Sequence, residues 1–486
     1  MPNVDYIKPE LTEAKKAYQI IEDCLDGEMA VKKRADTYLP RPNAADTSEE
    51  NKKRYEAYIC RAVFSNYSRR TLSALVGQIF MREPVLTIPP KLDPISTDAS
   101  GTGMSLDQSA KRACFQVIGI GRLGIMVDYP KTPNGTTKAD LNTGLVRPSI
   151  VTYRAQHIIN WRTMVRKSKT ILQMVVIWEN YNASDDMFEE EFKDQYRVLR
   201  IGKDGFCLIE VYRQTTTGWE VHETSYPSFA DGSRLDELPF QFVGSETNDA
   251  SIDPPPMLDI AVLNVGHYRN SADYEEACFI CGQATPVLTG ITFEWNRDVL
   301  KDRVEFGSRA AIPLPVGGDA KLLQAEQNSM PFEAMEHKER QMVALGARLV
   351  QNQKTQRTAT ETDAETAAES SIVSTSARNV SLAYTWALKL CAKFVGVPDT
   401  DIEYKLSSEY DLTRLTPEEL AQFISLYTAE LMTFEEVRDL LLKAGLATQT
   451  VEEAVTSVKN MRTKLPPIEI ETETQINKNT APKNGE

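Results

Sequence analysis

Pro254-Pro255-Pro256-Met257-Leu258-Asp259-Ile260-Ala261-Val262-Leu263-Asn264 opens a run of helical spacing that continues to about Gly282. The prolines mark a start, because proline fits the first turn of a helix and not its interior. From Met257 to Gln283 such a helix would extend about 40 Å. Its apolar side chains lie around the circumference rather than on one stripe, so neighbours are expected on more than one side. Thr285-Pro286-Val287-Leu288-Thr289 follows, then a compact stretch to Leu323 carrying Trp295, Arg303, Pro313, Pro315 and Gly317-Gly318. This reads as a small β-containing module inserted between helices. Ser329 is placed to cap a second helix, with Pro331 in its first turn, that ends near Val350. Glu336 and Arg340 sit four apart on it, a minor support of about 0.3 kcal/mol.

Gln351 to Thr360 has no apolar anchor and reads as an exposed, mobile loop. A long helix is expected directly after it, with Thr358 and Glu361 spaced as a capping box and Asp363 and Glu365 suiting the helix dipole. Val373, Ala377, Val380, Tyr384, Leu388, Cys391 and Val395 recur at steps of three and four, a buried stripe. Ala, Ser and Thr fill much of the first half, which lets neighbouring backbones approach. A plain helical bundle would give the same pattern.

The chain has 486 residues, about three domains' worth by length alone. Apolar residues make up 41% and charged residues 26%, ordinary for a globular protein able to bury a core. A net charge of −14 argues against a freestanding nucleic-acid binder, though not against a surface that DNA must pass without sticking. No apolar run reaches the ~18 residues of a membrane span, and the N-terminus lacks a signal peptide's apolar core. The chain is expected to be cytosolic when made. Seven scattered cysteines read mainly as buried thiols packed as small hydrophobes. Cys278 and Cys281 form a C-x-x-C, but a zinc site would want a second pair or histidines at matching spacing, and a redox motif would open a helix rather than close one.

The N-terminal half reads as one mixed domain. Helices are expected over Leu11 to Leu25, from near Ser48 through Val63, from about Arg69 to Met81, and over Leu106 to Ile118. Pro89 to Ser105 reads as a surface loop. Gly119-Ile120-Gly121-Arg122-Leu123-Gly124 matches the dinucleotide-binding G-x-G-x-x-G letter for letter. That motif works when a strand feeds the glycines and a helix follows, aiming its amides at pyrophosphate. Here the order is helix, glycines, strand (Ile125 to Tyr129), so a tight helix-to-strand turn is expected. Residues 147 to 243 read as an antiparallel sheet, with strands at Ile171 to Trp178, on either side of Asp204-Gly205, and at Trp219 to Val221. Asp185, Asp186, Glu189, Glu190 and Glu191 lack a histidine or paired ligand nearby and read as a solvated loop rather than a metal site. His157, His222, His267 and His337 are isolated from one another. No H-E-x-x-H, Walker or G-x-S-x-G pattern occurs. Neither cofactor nor metal is implied, and no enzymatic activity is expected. The competing expectation is a nucleotide-using enzyme on the N-terminal mixed domain, resting on Gly119 to Gly124.

Three helices are signalled downstream, opening at Thr416-Pro417-Glu418-Glu419, at Thr433-Phe434-Glu435-Glu436 (closed by Gly445) and at Thr450-Val451-Glu452-Glu453. From Arg462 onward the chain reads as a flexible tail. The fold class is α+β.

The order of these elements resembles the tailed-bacteriophage portal proteins. The residues carrying the resemblance are Pro255 to Asn264, His267-Tyr268-Arg269-Asn270-Ser271-Ala272-Asp273-Tyr274, Thr285 to Gly290, and Glu361-Thr362-Asp363-Ala364-Glu365. As an ordering of elements it covers most of residues 10 to 460. The resemblance implies a wing over residues 1–253, a stem helix over 254–283, a clip over 284–328, a second stem helix over 329–350 and a tunnel loop over 351–360. A long kinked helix would occupy 361–398, a helical crown 399–461, facing the capsid interior, and a tail 462–486. It further implies a ring, typically of twelve copies, at one capsid vertex of the virion, through which double-stranded DNA is packaged and ejected. Expected partners are other copies of the chain, DNA, the terminase large subunit, a head–tail adaptor, and the major capsid or a scaffolding protein, with no membrane. Gln353, Lys354, Gln356, Arg357 and Thr358 would face DNA. Two cations on an unanchored loop touch phosphates weakly, whereas each further neutralised phosphate would add salt-sensitive grip. Trp295, Arg297, Lys301 and Arg303 would meet the motor or adaptor. Twelve copies of a chain at −14 would repel a polyanion from most of their surface.

Overall fold

The computed structural model describes residues 3–128, 147–282, 285–301, 304, 312–323, 328–350, 371–407, 425, 427, 429, 432–443, 453–457 and 459. The chain forms two compact units, Met1–Ser408 and Glu409–Glu486.

Helices and sheets alternate in blocks, as an α+β fold requires. In the first unit α1 (Pro9–Asp26), α2 (Glu28–Lys33), α3 (Glu49–Arg61) and α4 (Tyr67–Ile79) come first. Ser48 caps α3 by accepting the Asn51 N–H, and Asn66 caps α4 by accepting the Arg69 N–H. Each side chain satisfies one of the donors a helix start leaves open. The short strand β1 (Val85–Thr87) is followed by α5 (Asp93–Thr97). The stretch Pro89 to Ser105 is therefore not a plain surface loop. Leu92, Ile95 and Ala99 are buried, and Asp98 Oδ1 accepts the N–H groups of Gly101 and Gly103 while Arg147 pairs with its other oxygen. Pro, Gly and Ser made the composition look like a loop; three apolar anchors fix it to the core.

Helix α6 (Leu106–Ile120) starts on a reciprocal capping box between Ser105 and Gln108 and ends at Gly121, whose φ of 86° is left-handed. Strand β2 (Arg122–Asp128) follows at once, so the helix-to-strand turn is as expected. Strand β2 is the middle of a three-stranded antiparallel sheet, between β3 (Ser149–Arg154) and β9 (Phe240–Gly244). Between these partners runs a five-stranded antiparallel meander: β4 (Ile158–Arg166), β5 (Lys169–Asn182), β6 (Phe192–Ile201), β7 (Cys207–Thr215) and β8 (Gly218–Ser225). Val4, Ile159, Val176 and Val198 form a core on it, with Trp178, Tyr196, Tyr212 and Trp219 packed around them.

The central segment gives α7 (Leu258–Gly282), then strands β10 (Thr285–Thr289) and β11 (Asp319–Leu323), paired antiparallel, then α8 (Met330–Val350). Ser329 holds the N-cap position of α8 through its carbonyl, which accepts the Glu333 N–H at 3.0 Å. Its hydroxyl does not cap; it donates to Glu333 Oε1 at 2.7 Å, and the Met330 N–H goes to Asn328 Oδ1. Helix α9 (Ile372–Val395) begins with Ser371 in an extended conformation, its hydroxyl accepting the Ser374 N–H. The described helix begins at Ile372, and the Thr358–Glu361 box lies outside the described residues. Of the expected stripe, Val373, Ala377, Val380, Tyr384, Leu388 and Cys391 are fully buried, and Val395, in the last turn, is half-buried. Tyr384 Oη and Ser109 Oγ share a hydrogen bond of 2.7 Å, tying α9 to α6. Strand β12 (Glu403–Lys405) closes the unit on β1.

In the second unit α10 (Phe434–Lys443) carries the expected capping box, with Thr433 and Glu436 each accepting the other's N–H. Residues 453–457 are helical. The signals at Thr416, Gly445 and Thr450 lie outside the described residues.

Candidate functional site: the paired central helices

Helix α7 is rooted in the N-terminal helices by polar contacts, buried around Asn264 and part-buried further along. Asn264 Oδ1 accepts from both the backbone N and Oγ of Ser68 at 3.0 Å, and Asn264 Nδ2 donates to the Ser65 carbonyl at 2.8 Å. Ser271 Oγ accepts the Val63 N–H at 3.1 Å, and Arg269 Nε donates to the Tyr38 carbonyl at 2.7 Å. Tyr58 Oη donates to Asp273 at 2.6 Å, and Arg61 pairs with Glu276 while lying over the Phe279 ring. Since an unpaired polar group inside a protein is costly, each contact fixes the helix rotationally as well as axially.

Helix α8 leans on α7 through a sparser set. His267 Nε2 lies 3.1 Å from Glu339 Oε1, Lys338 Nζ donates to Asn270 Oδ1, and the Tyr274 and Phe332 rings stand 5.8 Å apart. Gly266 makes room for Lys338, whose Cε would stand 3.1 Å from an added Cβ. Burial holds the His267 imidazole below its usual range, opposed by the Glu339 carboxylate beside it.

Along this pair, burial stops short of the far end. Helix α7 is largely buried through Ala272, and every residue from Asp273 to Gly282 is half-buried or exposed. Phe279, Ile280, Val287, Phe293, Leu322, Leu323, Met330 and Phe332 are all exposed there, Phe293 to 79% and Met330 to 73%, and Val343, beyond Glu339 on the other stretch of α8, is exposed as well. On α8 the side chains of Met342 and Leu349 are the ones buried among its described residues. A helix apolar all round wants protein on every side, and this one lacks it beyond Ala272.

The expected site residues fall out unevenly. Trp295 Nε1 donates to the Pro313 carbonyl at 3.2 Å, closing the inserted module on itself. Arg297 pairs with its neighbour Asp298, and Lys301 adopts a left-handed backbone at φ 51°. Arg303, Gln353, Lys354, Gln356, Arg357 and Thr358 lie outside the described residues. Cys278 is exposed and Cys281 half-buried inside α7, with Cys24, Cys114, Cys207 and Cys391 buried. Among the described residues no group of three or more His, Cys, Asp or Glu is placed to hold a metal ion. None of the described helices is long and apolar enough to cross a membrane.

The glycines of the competing expectation are filled by protein. A Cβ on Gly119 would stand 3.2 Å from Leu72 Cδ2, one on Gly121 3.0 Å from the carbonyls of Asp253 and Pro254, and one on Gly124 2.5 Å from Phe240 Cζ. Carbonyl oxygens and an aromatic ring crowd the turn, where a phosphate cradle needs free N–H groups. These glycines serve close packing between α6, β2 and the approach to α7. Sequence reasoning missed the buried Arg122, which sits between the rings of Trp161 and Phe242 and donates to the Ala250 carbonyl. Burial lowers its pKa to about 10. No local pattern marks it, because its aromatic neighbours come from other strands.

A family model described as a domain of unknown function, DUF4055, matches residues 256–395, from just ahead of α7 to the last residue of α9. Among solved structures, the chain is similar to one in the virion of a native gene transfer agent (GTA) particle, at 15% identity over 79% of this chain and 92% of that one, with a TM-score of 0.39. A chain in the neck of an empty GTA particle computed with C6 symmetry is similar at 13% identity over 78% and 90%, TM-score 0.40. One in the neck of a native GTA particle computed with C12 symmetry is similar at 14% over 76% and 88%, TM-score 0.38. No curated protein matches the chain.

Proposed function

We propose that this chain is the protomer of a portal-type ring, a conduit for double-stranded DNA at one vertex of a phage-like capsid. The observation that carries the reading is the bare apolar end of the α7–α8 pair. Large exposed apolar groups gathered in one place on a soluble protein mark a surface that protein covers. Copies standing side by side, with their paired helices in parallel, would bury Phe279, Ile280, Phe332 and Val343 against neighbours and enclose a channel. In this reading the sheets and N-terminal helices are the wing, α7 and α8 the stem, the β10–β11 module the clip, and α10 belongs to the crown. The clip would present Trp295, Arg297, Lys301 and Arg303 to the terminase large subunit and later to the tail adaptor.

Residues 351–360 join α8 to the approach of α9, so in a ring they would lie next to the stem. Lys354 and Arg357 supply the two cations that would meet the passing phosphates. Particle images of the purified full chain test the ring: an annulus with a central hole is expected, and a field of solitary particles overturns it. Replacing Lys354 and Arg357 together by Ala should leave the annulus intact and lower the DNA retained per particle. Loss of the annulus instead would assign that segment a structural role.

A further inference from the structure

The hairpin joining β5 to β6 ends in a knob of unusual make-up. Met187 and Phe188 at its tip are 95% and 93% exposed, and Phe192 at its base is exposed as well. Around them stand Asp185, Asp186, Glu189 and Glu190, none of which forms an ion pair among the described residues, and Glu191, which pairs with Lys193. The tip is not loosely held. Asn182 Oδ1 accepts the N–H groups of Ser184 and Glu191, Ser184 Oγ accepts that of Asp186, and Asp186 Oδ1 accepts that of Phe188 at 2.9 Å. A further backbone hydrogen bond runs from Ala183 to Glu191 at 2.7 Å. Such pre-ordering lowers the entropy lost on docking.

Elsewhere in the same unit lies an open groove of about 690 Å³ between α9 and β12. Arg378, Leu382 and Lys389 line it from α9, with Asp401, Glu403 and Lys405 on the β12 side, and Leu382 is 57% exposed. None of the three cations forms an ion pair among the described residues. The groove floor is rigid: Thr385 Oγ accepts the Tyr404 N–H and donates to the Tyr404 carbonyl, while Ser381 Oγ accepts the Leu406 N–H. With the β12 backbone satisfied there, an incoming group meets side chains rather than a free strand edge.

We propose that the Met187–Phe188 knob of one copy seats in the α9–β12 groove of the next. The inference rests on the ring reading above. The acidic knob is complementary in charge to the α9 wall of the groove, where Arg378 and Lys389 stand, and the nearly full exposure of Met187 and Phe188 shows that a chain does not fill its own groove. A knob and socket on different parts of one chain make a heterologous contact, the kind that closes into a ring when the rotation per copy allows. The occupant is thus a second copy of this chain, with Phe188 beside Leu382 and the carboxylates of Asp186 and Glu189 facing Arg378 and Lys389.

The test uses the full chain with Cys60, Cys278 and Cys281 replaced by Ser, carrying Phe188→Cys and Leu382→Cys. Copper-phenanthroline oxidation should give a ladder of disulfide-linked oligomers up to the ring's own copy number, absent when either added cysteine is omitted. Rings that form without a ladder overturn this contact and leave the ring reading standing. Solitary chains without a ladder overturn both. In a second arm, Arg378→Glu with Lys389→Glu should raise the protein concentration needed for assembly about tenfold or more, since like charges would then face each other. Adding Asp186→Lys and Glu189→Lys should restore it. A reversal without effect, or one not rescued, assigns the groove to some other occupant.

Discussion

Replacing Asn264 by Ala tests how α7 is anchored, and the magnitude follows from three contacts. The side chain is fully buried and makes hydrogen bonds to Ser68 N, Ser68 Oγ and the Ser65 carbonyl. Each is worth about 1 kcal/mol net, and truncation also strands their partners inside the protein. The Ser68 N–H is among the most exposed to this loss, because it lies in the first turn of α4 and has no partner within its own helix. A loss of about 3 to 5 kcal/mol is expected. Equilibrium urea unfolding of the unassembled chain, followed by tryptophan fluorescence, should show the midpoint falling by about 1 M or more, given a slope of about 3 kcal/mol per molar for a large unit. Asn264→Asp keeps both contacts from Ser68 but sets a carboxylate oxygen against the Ser65 carbonyl, so it should be no milder. A midpoint within about 0.3 M of the parent for Asn264→Ala would refute the idea that this network holds the helix.

Other substitutions separate the competing accounts. Gly124→Ala places a Cβ 2.5 Å from Phe240 Cζ and 2.6 Å from Ile158 Cδ1, so overpacking should cost about 1 to 3 kcal/mol in the same unfolding assay. A variant of unchanged stability that loses nucleotide binding would revive the enzyme reading. Ile280→Asp with Val343→Asp, both exposed in the single chain, should leave the unfolding midpoint unchanged and abolish assembly read by light scattering. Burial keeps His267 neutral in the fold, so its folded pKa lies below the unfolded value of about 6.5. Its contribution is therefore present above that pH and lost as pH falls through the folded pKa. His267→Gln should flatten part of the fall in stability between pH 7 and pH 5, and an unchanged pH profile would count against it.

Much of the helical framework was legible because periodicity and caps are local. The α3 start near Ser48, Thr433 and the stripe from Val373 to Cys391 are each complete within a few turns of chain. The hairpins of the meander were readable for the same reason, since each strand pairs with its sequence neighbour. What stayed hidden depends on distant partners. Strand β2 pairs with β9, β1 with β12, and Asn264 with Ser68, and none of these contacts leaves a mark at either position alone. Pro89 to Ser105 misled because its turn-forming composition outweighed Leu92, Ile95 and Ala99. At the start of α9, Ser371 caps the observed helix, a signal of one serine that the sequence does not single out, while the Thr358–Glu361 spacing lies outside the described residues. For the candidate site, the sequence indicated a helix, a β-containing insert and a second helix in the right order. It could not indicate that burial of the pair stops after Ala272, because that depends on which helices from elsewhere in the chain reach it.

Native mass measurement of the purified full-length chain bears most directly on the conduit. The account predicts a discrete closed oligomer near twelve protomers, persisting on dilution and large enough for its paired helices to surround duplex DNA. A chain that remains single at every concentration, with Phe279, Ile280 and Val343 still open to water, would contradict it.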